Sequence, residues 1–290
     1  MKTKSTSNQT QSSLNEIIKS PNKSFQLSIT VNKKTIQKEY QQVLSNIAGN
    51  MKIPGFRKGK VPTNLAEQKT DLSKVYEQII QNVLPDKYLN AIKEHNLKPI
   101  IQPKILLENP PLSKNKDWQF QLSSCEKPEI ILADYQKEIK KINKQASSSA
   151  TKKTQSTSDK TQKHTQLILN LLSKKTTLEL PEILIEAETK HKLSQLVNNL
   201  TQVDLTIDQY FKNSKSSMEE YKEGIRKNLL EKWKIDLALE KIAQKEKIKI
   251  GKKELSKAIA STPNGKEKES FIKYILTQQK TIKFLQTHNV

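Results

Sequence analysis

Residues 53–62, reading IPGFRKGKVP, constrain the fold of this chain more than any other stretch, because they can belong to neither a regular helix nor a strand. Pro54 and Pro62 each lack an N–H donor and push the preceding residue out of the helical region. Gly55 and Gly59 tolerate positive φ. Whatever flanks this segment must therefore be joined by a loop. Between the breakers stand Phe56, Arg57, Lys58 and Lys60, with no carboxylate among them. Of the 51 basic residues only Arg57 and Arg226 are arginines, and one of the two falls in this loop. Arginine presents a rigid fork of donors suited to phosphate or carboxylate, which lysine cannot imitate. Two readings stand side by side. The segment is a docking loop, or it is a basic surface turn with Phe56 tucked into the local core.

The flanking sequence supplies elements for the loop to join. Residues 25–31, FQLSITV, alternate apolar and polar like a half-buried strand. Ile36, Tyr40, Val43, Leu44, Ile47 and Met51 then recur three or four apart and predict a helix ending near residues 49–53. After the loop, Thr63 or Asn64 is expected to cap a short helix, and Asp71 a longer one striped by Val75, Ile79, Ile80, Val83 and Leu84. Two further strands are expected at residues 100–107 and 117–124, separated by Asn109-Pro110-Pro111 and a polar turn. The order strand, helix, loop, helix, helix, strand, strand is that of a small α+β domain. Residues 1–20, rich in Ser, Thr, Gln, Asn and Lys, are expected to form a disordered tail.

GFRKGKVP at residues 55–62 resembles the signature loop of the trigger factor family, bacterial chaperones that dock on the ribosome beside the nascent-chain exit tunnel. The resemblance of the α+β region runs from about residue 24 to 142 and implies a ribosome-binding domain. Its loop would contact the large subunit through Phe56, Arg57 and Lys58, with Gly55, Gly59 and Lys60 completing the ribosome-binding set. Weaker similarities follow in the family's order: LPEILIEAE at residues 180–188, EKIAQKEKIKIGKKEL at 240–255 and LTQQKTIKFL at 276–285. They imply a mostly α-helical, elongated C-terminal domain with arms.

The family usually carries a prolyl isomerase domain of about a hundred residues between these two regions. Here the corresponding stretch, residues 143–165, is NKQASSSATKKTQSTSDKTQKHT, too poor in apolar residues to bury a core and without Phe, Tyr or Trp. A flexible linker is expected there, and no isomerase pocket. The expected organisation is a tail at 1–20, the ribosome-binding domain at 21–142, the linker at 143–165 and the helical chaperone domain at 166–290.

From residue 166 the sequence reads as nearly continuous helix. Pro181 suits a first helical turn, Ser217 with Glu219 and Glu220 marks another start, and the turn TPNG at 262–265 precedes a last helix. The apolar stripes are mostly core faces. If the helices form arms, some stripes stay uncovered and line an apolar cradle for unfolded chains; Leu193, Leu196, Tyr210, Phe211, Phe271 and Leu285 are the client-binding candidates.

Composition sets the outer limits. An apolar fraction of 34% is low for compact globules, so thin-cored modules are expected, and six glycines among abundant Lys, Leu, Ile, Gln and Glu favour helix. A net charge of +21 and a pI near 9.7 imply a polyanionic partner, or simply lysine-based solubility. Cys125 stands alone, so neither disulfides nor a cysteine metal site is expected, in keeping with a reducing cytoplasm. No leader or membrane span is read from the sequence. His95, His164, His191 and His288 lack metal-ligand spacing, and neither a glycine-rich phosphate loop nor a nucleophile elbow is found. Basic runs such as residues 245–253 read as solvated faces, with accessory ribosomal RNA contact as the alternative.

These expectations amount to an ATP-independent chaperone without cofactor, metal or enzymatic activity of its own. Its partners would be protein and RNA of the large ribosomal subunit near the exit tunnel, and unfolded nascent polypeptides; a homodimer of the free protein is left open, and no membrane partner is expected. The alternatives are a basic RNA- or DNA-binding protein, which would bind naked nucleic acid with a steep salt slope, and a peptidyl-prolyl isomerase whose activity lies elsewhere in the chain.

Overall fold

The computed structural model describes residues 16–57, 59–148 and 157–287. The chain divides into two compact units, Met1–Lys127 and Pro128–Val290.

The first unit is built on a four-stranded antiparallel sheet of β1 (Glu16–Lys19), β2 (Ser24–Val31), β3 (Lys104–Leu107) and β4 (Trp118–Cys125), in the order β1-β2-β4-β3. The alternation in residues 25–31 fixes its register: Phe25, Leu27, Ile29 and Val31 are buried, and β2 pairs with β4 from Ser24 opposite Cys125 to Val31 opposite Trp118. A slip of one residue would turn that apolar set to solvent. Two helices cover the inner face. Helix α1 (Lys33–Asn50) buries Ile36, Tyr40, Val43 and Leu44, and its first turn is capped by Asn32, whose side chain accepts from Thr35 N. A short helix, α2 (Thr63–Lys69), follows the loop, and α3 (Leu72–Glu94) buries Val75, Ile79, Leu84 and Ala91. Asp71 caps α3 as the sequence predicts, accepting from Ser73 N at 2.9 Å. The predicted cap on α2 is not found: Pro62 occupies the position and no side chain caps it. The strand expected over 100–107 is confined to its last four residues. A tilted and edge-on aromatic series, Tyr40, Tyr76, Trp118 and Phe120, runs through this core at centroid separations of 5.6 to 6.3 Å.

Residues 16–19, expected within a disordered tail, instead form the edge strand β1, with Ile17 opposite Leu27 and packed on the core. Pairing with β2 satisfies the backbone of a segment too polar to fold alone. The earlier part of the expected tail lies outside the described residues.

The second unit begins earlier than the sequence suggests. Strand β5 (Ile130–Leu132) pairs with β6 (Thr176–Leu178), and α4 (Gln136–Ser148) and α5 (Thr157–Lys175) run into the stretch expected to be a linker. Of that stretch, residues 149–156 lie outside the described residues. The polar composition conceals a few well-spaced anchors. Ile139 of α4 joins Ile168, Leu171 and Leu172 of α5 in one core. Asn143, only 8% exposed, donates through Nδ2 to Leu285 O at 2.9 Å, and its Oδ1 lies 2.8 Å from His164 Nε2.

The remaining helices are α6 (Glu182–Thr201), α7 (Ile207–Ser214), α8 (Met218–Lys245), α9 (Lys252–Ala260) and α10 (Glu269–Thr287). Helix α8 serves two packings. At 28 residues it is about 42 Å long. Its C-terminal part puts Ala238, Leu239 and Ile242 into the core with Leu285 of α10, while its N-terminal part packs on α6. Ser217 and Glu220 form a complete capping box at its start, at 3.1 and 2.9 Å. Among the described residues no helix is long and apolar enough to cross a membrane.

Candidate functional site

Helix α1 stops at Asn50 and the loop leaves it as two successive turns. In the first, Phe56 N donates to Ile53 O at 3.1 Å, with Pro54 in second position and Gly55, φ +87°, in third. That arrangement needs the fixed φ of proline followed by a residue free to take positive φ. In the second, Lys60 N donates to Arg57 O at 2.9 Å, with Gly59 again third and at φ +82°.

The stem of the loop is apolar and its tip is not. Val61, 7% exposed, forms a small satellite core with Ala48 of α1 and Ala66 of α2, walled by Met51, Ile53 and Leu65. Phe56 stands outside that cluster and is 42% exposed, so the reading in which it tucks into the local core is set aside. Gly55, Arg57, Gly59 and Lys60 are exposed as well, while Lys58 lies outside the described residues. The two arginines part company here. Arg226 is gripped by Glu182 at 2.9 and 2.7 Å, whereas Arg57 has no ion-pair partner among the described residues.

A polar cluster holds the far side of the loop. Glu67 of α2 accepts at Oε1 from Tyr40 Oη of α1 and from Lys114 Nζ, both at 2.6 Å, and Lys114 lies 4.6 Å from the Tyr40 ring centroid. The Lys114 and Tyr40 hydrogen bonds keep the Glu67 carboxyl below its ordinary pKa. Burial, reinforced by the bond to Glu67, raises the Tyr40 hydroxyl well above its own. The helices on either side of the loop are thus joined by one charge-assisted cluster as well as by the satellite core.

In the second unit α6 and the start of α8 lie side by side and enclose a groove of about 740 Å³. Ile185, Leu193 and Val197 give it an apolar floor, and charged residues such as Glu223 and Arg226 rim it. The opposite face of the same pair carries a second groove of about 580 Å³, along Tyr221, Ile225 and Leu229.

The six client-binding candidates do not come together. Leu193 lines the larger groove; Leu196 is half-buried and lines neither. Tyr210 and Phe211 belong to α7, a helix that the sequence pattern does not mark, and stack in series against Tyr221 at 5.3 and 5.8 Å. Phe211 is thereby buried and fastens α7 to α8. Phe271 is 62% exposed on α10. Leu285 is fully buried on the same helix, where its side chain fills the core and offers a client nothing. Sequence reasoning misses Ile185 and Val197 as groove residues. Val197 follows Leu193 by four positions on α6 and is 45% exposed, and the signal for it is that a two-helix pair cannot cover every apolar position.

The family comparisons agree with this architecture. The family model described as bacterial trigger factor protein matches residues 15–160, and the one described as bacterial trigger factor protein C-terminus matches residues 133–287. The matches overlap, so no residues remain between them for an isomerase domain. The trigger factors of Staphylococcus aureus strains JH9, Newman and MW2 are each 35% identical to the chain over 109 residues, 38% of this chain and 25% of theirs. The match thus spans about a quarter of the length of these curated relatives. A solved structure from work on promiscuous substrate recognition in folding and assembly activities of the trigger factor chaperone superposes with a TM-score of 0.60. It covers 95% of this chain and all of its own at 13% identity, a likeness of fold. The chain belongs to the bacterial trigger factor family.

Proposed function

We propose that this protein is an ATP-independent chaperone of the cytoplasm that docks on the large ribosomal subunit near the exit tunnel and shields nascent polypeptides. The observation that carries the docking half is the contrast at the loop: an apolar stem packed between α1 and α2 holds out in solvent both Phe56 and an Arg57 that has no ion-pair partner among the described residues. Phe56, Arg57 and Lys58 make the contact, and the guanidinium supplies charge-assisted bonds to phosphate or carboxylate. The net charge of +21 steers the approach. Gly55 and Gly59 shape the tip, and Lys60 adds charge at its base.

The first unit does the docking and the second the shielding. Unfolded chains lie in the groove floored by Ile185, Leu193 and Val197, held by weak apolar contacts that exposed segments of any sequence can make. Release needs no nucleotide, because a client that buries its own apolar surface withdraws from a weak site.

Cosedimentation with vacant ribosomes at moderate salt tests the docking. The native chain is expected to bind saturably, and a variant carrying Phe56→Ala, Arg57→Ala and Lys58→Ala to lose binding while keeping its circular dichroism spectrum. Equal binding by both, matched by equal binding to naked RNA, would assign the interaction to bulk charge and favour the nucleic-acid reading.

A further inference from the structure

The lysines of residues 241–257 are exposed, and they gather where α8, α9 and α10 meet. Lys241 and Lys245 stand on the last turns of α8, Lys247 and Lys249 on the connection that follows, and Lys252, Lys253 and Lys257 on α9; Glu246 and Glu254 are the carboxylates among them. All seven lysines are exposed. Helix α10 adds an eighth, since Lys280 Nζ donates to Lys249 O at 2.8 Å. Several of these ammonium groups are held in place by neutral groups rather than by carboxylates. Lys241 Nζ donates to Ile130 O at 3.0 Å, and Lys245 Nζ lies 5.8 Å from the Tyr135 ring centroid. Within the set only Lys280 has a carboxylate partner among the described residues, Glu254 at 3.5 Å. Fixing a cation on a carbonyl or a ring reduces its motion and leaves its charge uncancelled.

We propose that this junction of α8, α9 and α10 is a second anion-binding surface, which takes the phosphate backbone of RNA. It lies in the second unit and stands independently of the docking loop. Eight lysines with Glu246 and Glu254 as the carboxylates among them leave a net positive surface, and a lysine is a point charge that can meet the closely spaced phosphates of a polyanion in any orientation. The apolar residues inside the run, Ile248 and Ile250, are half-buried, so the surface offers charge without an apolar face to enter a bilayer. Contacts to phosphates carry no sequence information, so the binding is indifferent to sequence.

The test measures binding of the full chain to a fluorescent oligouridine of roughly 20 nucleotides as salt is raised from about 0.05 to 0.3 M. Three variants are compared: Lys247, Lys249, Lys252 and Lys253 all changed to Gln; a scattered control with Lys34, Lys69, Lys212 and Lys227 changed to Gln; and the loop triple-alanine variant. Substitution of exposed lysines by glutamine leaves the cores intact, which circular dichroism checks. The cluster variant is expected to lower the slope of log K against log salt by roughly 3, at about 0.7 for each phosphate that is no longer neutralised. The scattered control and the loop variant retain most of the slope. Equal losses in the cluster and scattered variants would overturn the proposal in favour of bulk charge. Binding to phosphatidylglycerol vesicles that depends on the cluster, without RNA binding that does so, would overturn it in favour of a lipid surface. Loss in the loop variant alone would place the RNA contact in the first unit.

Discussion

Tyr40 Oη donates to Glu67 Oε1 at 2.6 Å, and that bond ties the helix before the loop to the helix after it. Lys114 completes the contact from the β3–β4 connection, so one carboxylate fixes three segments around the base of the loop. Glu67→Gln keeps the shape and removes the charge. With the Glu67 and Lys114 side chains 33% and 39% exposed, solvent screens the pair, and the expected loss is about 1 kcal/mol in urea titration. The pH dependence gives its sign. The folded carboxyl titrates below its unfolded value, so the contribution is complete above the ordinary Glu pKa and disappears as pH falls through the lower folded one. The gap between native chain and variant should hold from neutrality to about pH 5 and close below it. A gap unchanged down to about pH 3 would show that charge has no part in the contact.

Gly55 separates backbone demand from packing. A Cβ there would meet nothing within 4 Å, yet the residue sits at φ +87°. Gly55→Ala is therefore expected to cost about 1–2 kcal/mol locally, relieved by a rearranged turn. Ribosome cosedimentation should weaken while thermal unfolding of the first unit stays nearly unchanged. Gly224 inside α8 makes the contrast: with open space and helical φ, Gly224→Ala should stabilise the second unit by about 0.5–1 kcal/mol.

What can be read from sequence follows the range of the interactions responsible. The two turns of residues 53–60, the Asp71 cap and the Ser217–Glu220 box each depend on residues within four positions, and all are legible. The alternation of β2 is legible because one strand carries its whole signal. Strands β5 and β6 are three residues each and lie more than forty positions apart, so neither has a pattern until the other is beside it. Helix α4 reads as linker beyond Ile142 because its few isoleucines are diluted by lysine and glutamine; their burial depends on α5 and α10. Helix α10 shows the same limit for the client-binding candidates. Phe271 and Leu285 belong to one crowded apolar pattern, and only the neighbours α8 and α5 decide that Leu285 faces the core and Phe271 faces solvent.

Leu193 and Leu285 should accordingly behave in opposite ways. Leu285→Ala removes a fully buried side chain and is expected to cost about 2–5 kcal/mol, read as a lowered unfolding midpoint. Leu193→Glu together with Val197→Glu places charge on the groove floor and should leave the midpoint within about 1 kcal/mol. The groove variant is the one that should fail to suppress aggregation of a refolding client protein. Full suppression by that variant would move the client surface elsewhere in the chain.

His164 and Asn143 provide the test of whether α4 and α5 are held together across the stretch that reads as linker. Because Asn143 Nδ2 is committed to Leu285 O, its Oδ1 is the acceptor, and His164 must carry a proton on Nε2. Protonating the other ring nitrogen keeps that bond but charges a partly desolvated ring, which is why burial lowers the His164 pKa. The sign follows from the lowered value: the unfolded chain takes up the proton first, so stability from this group is complete above the ordinary histidine pKa of about 6.5 and declines as pH falls through the lower folded value. Unfolding of the second unit should therefore become easier as pH falls from about 7 to 5. In His164→Gln, which can still donate to Asn143, that part of the pH dependence should vanish while stability at neutral pH is largely kept. An identical pH profile in the variant would mean that the two helices are not joined through this pair.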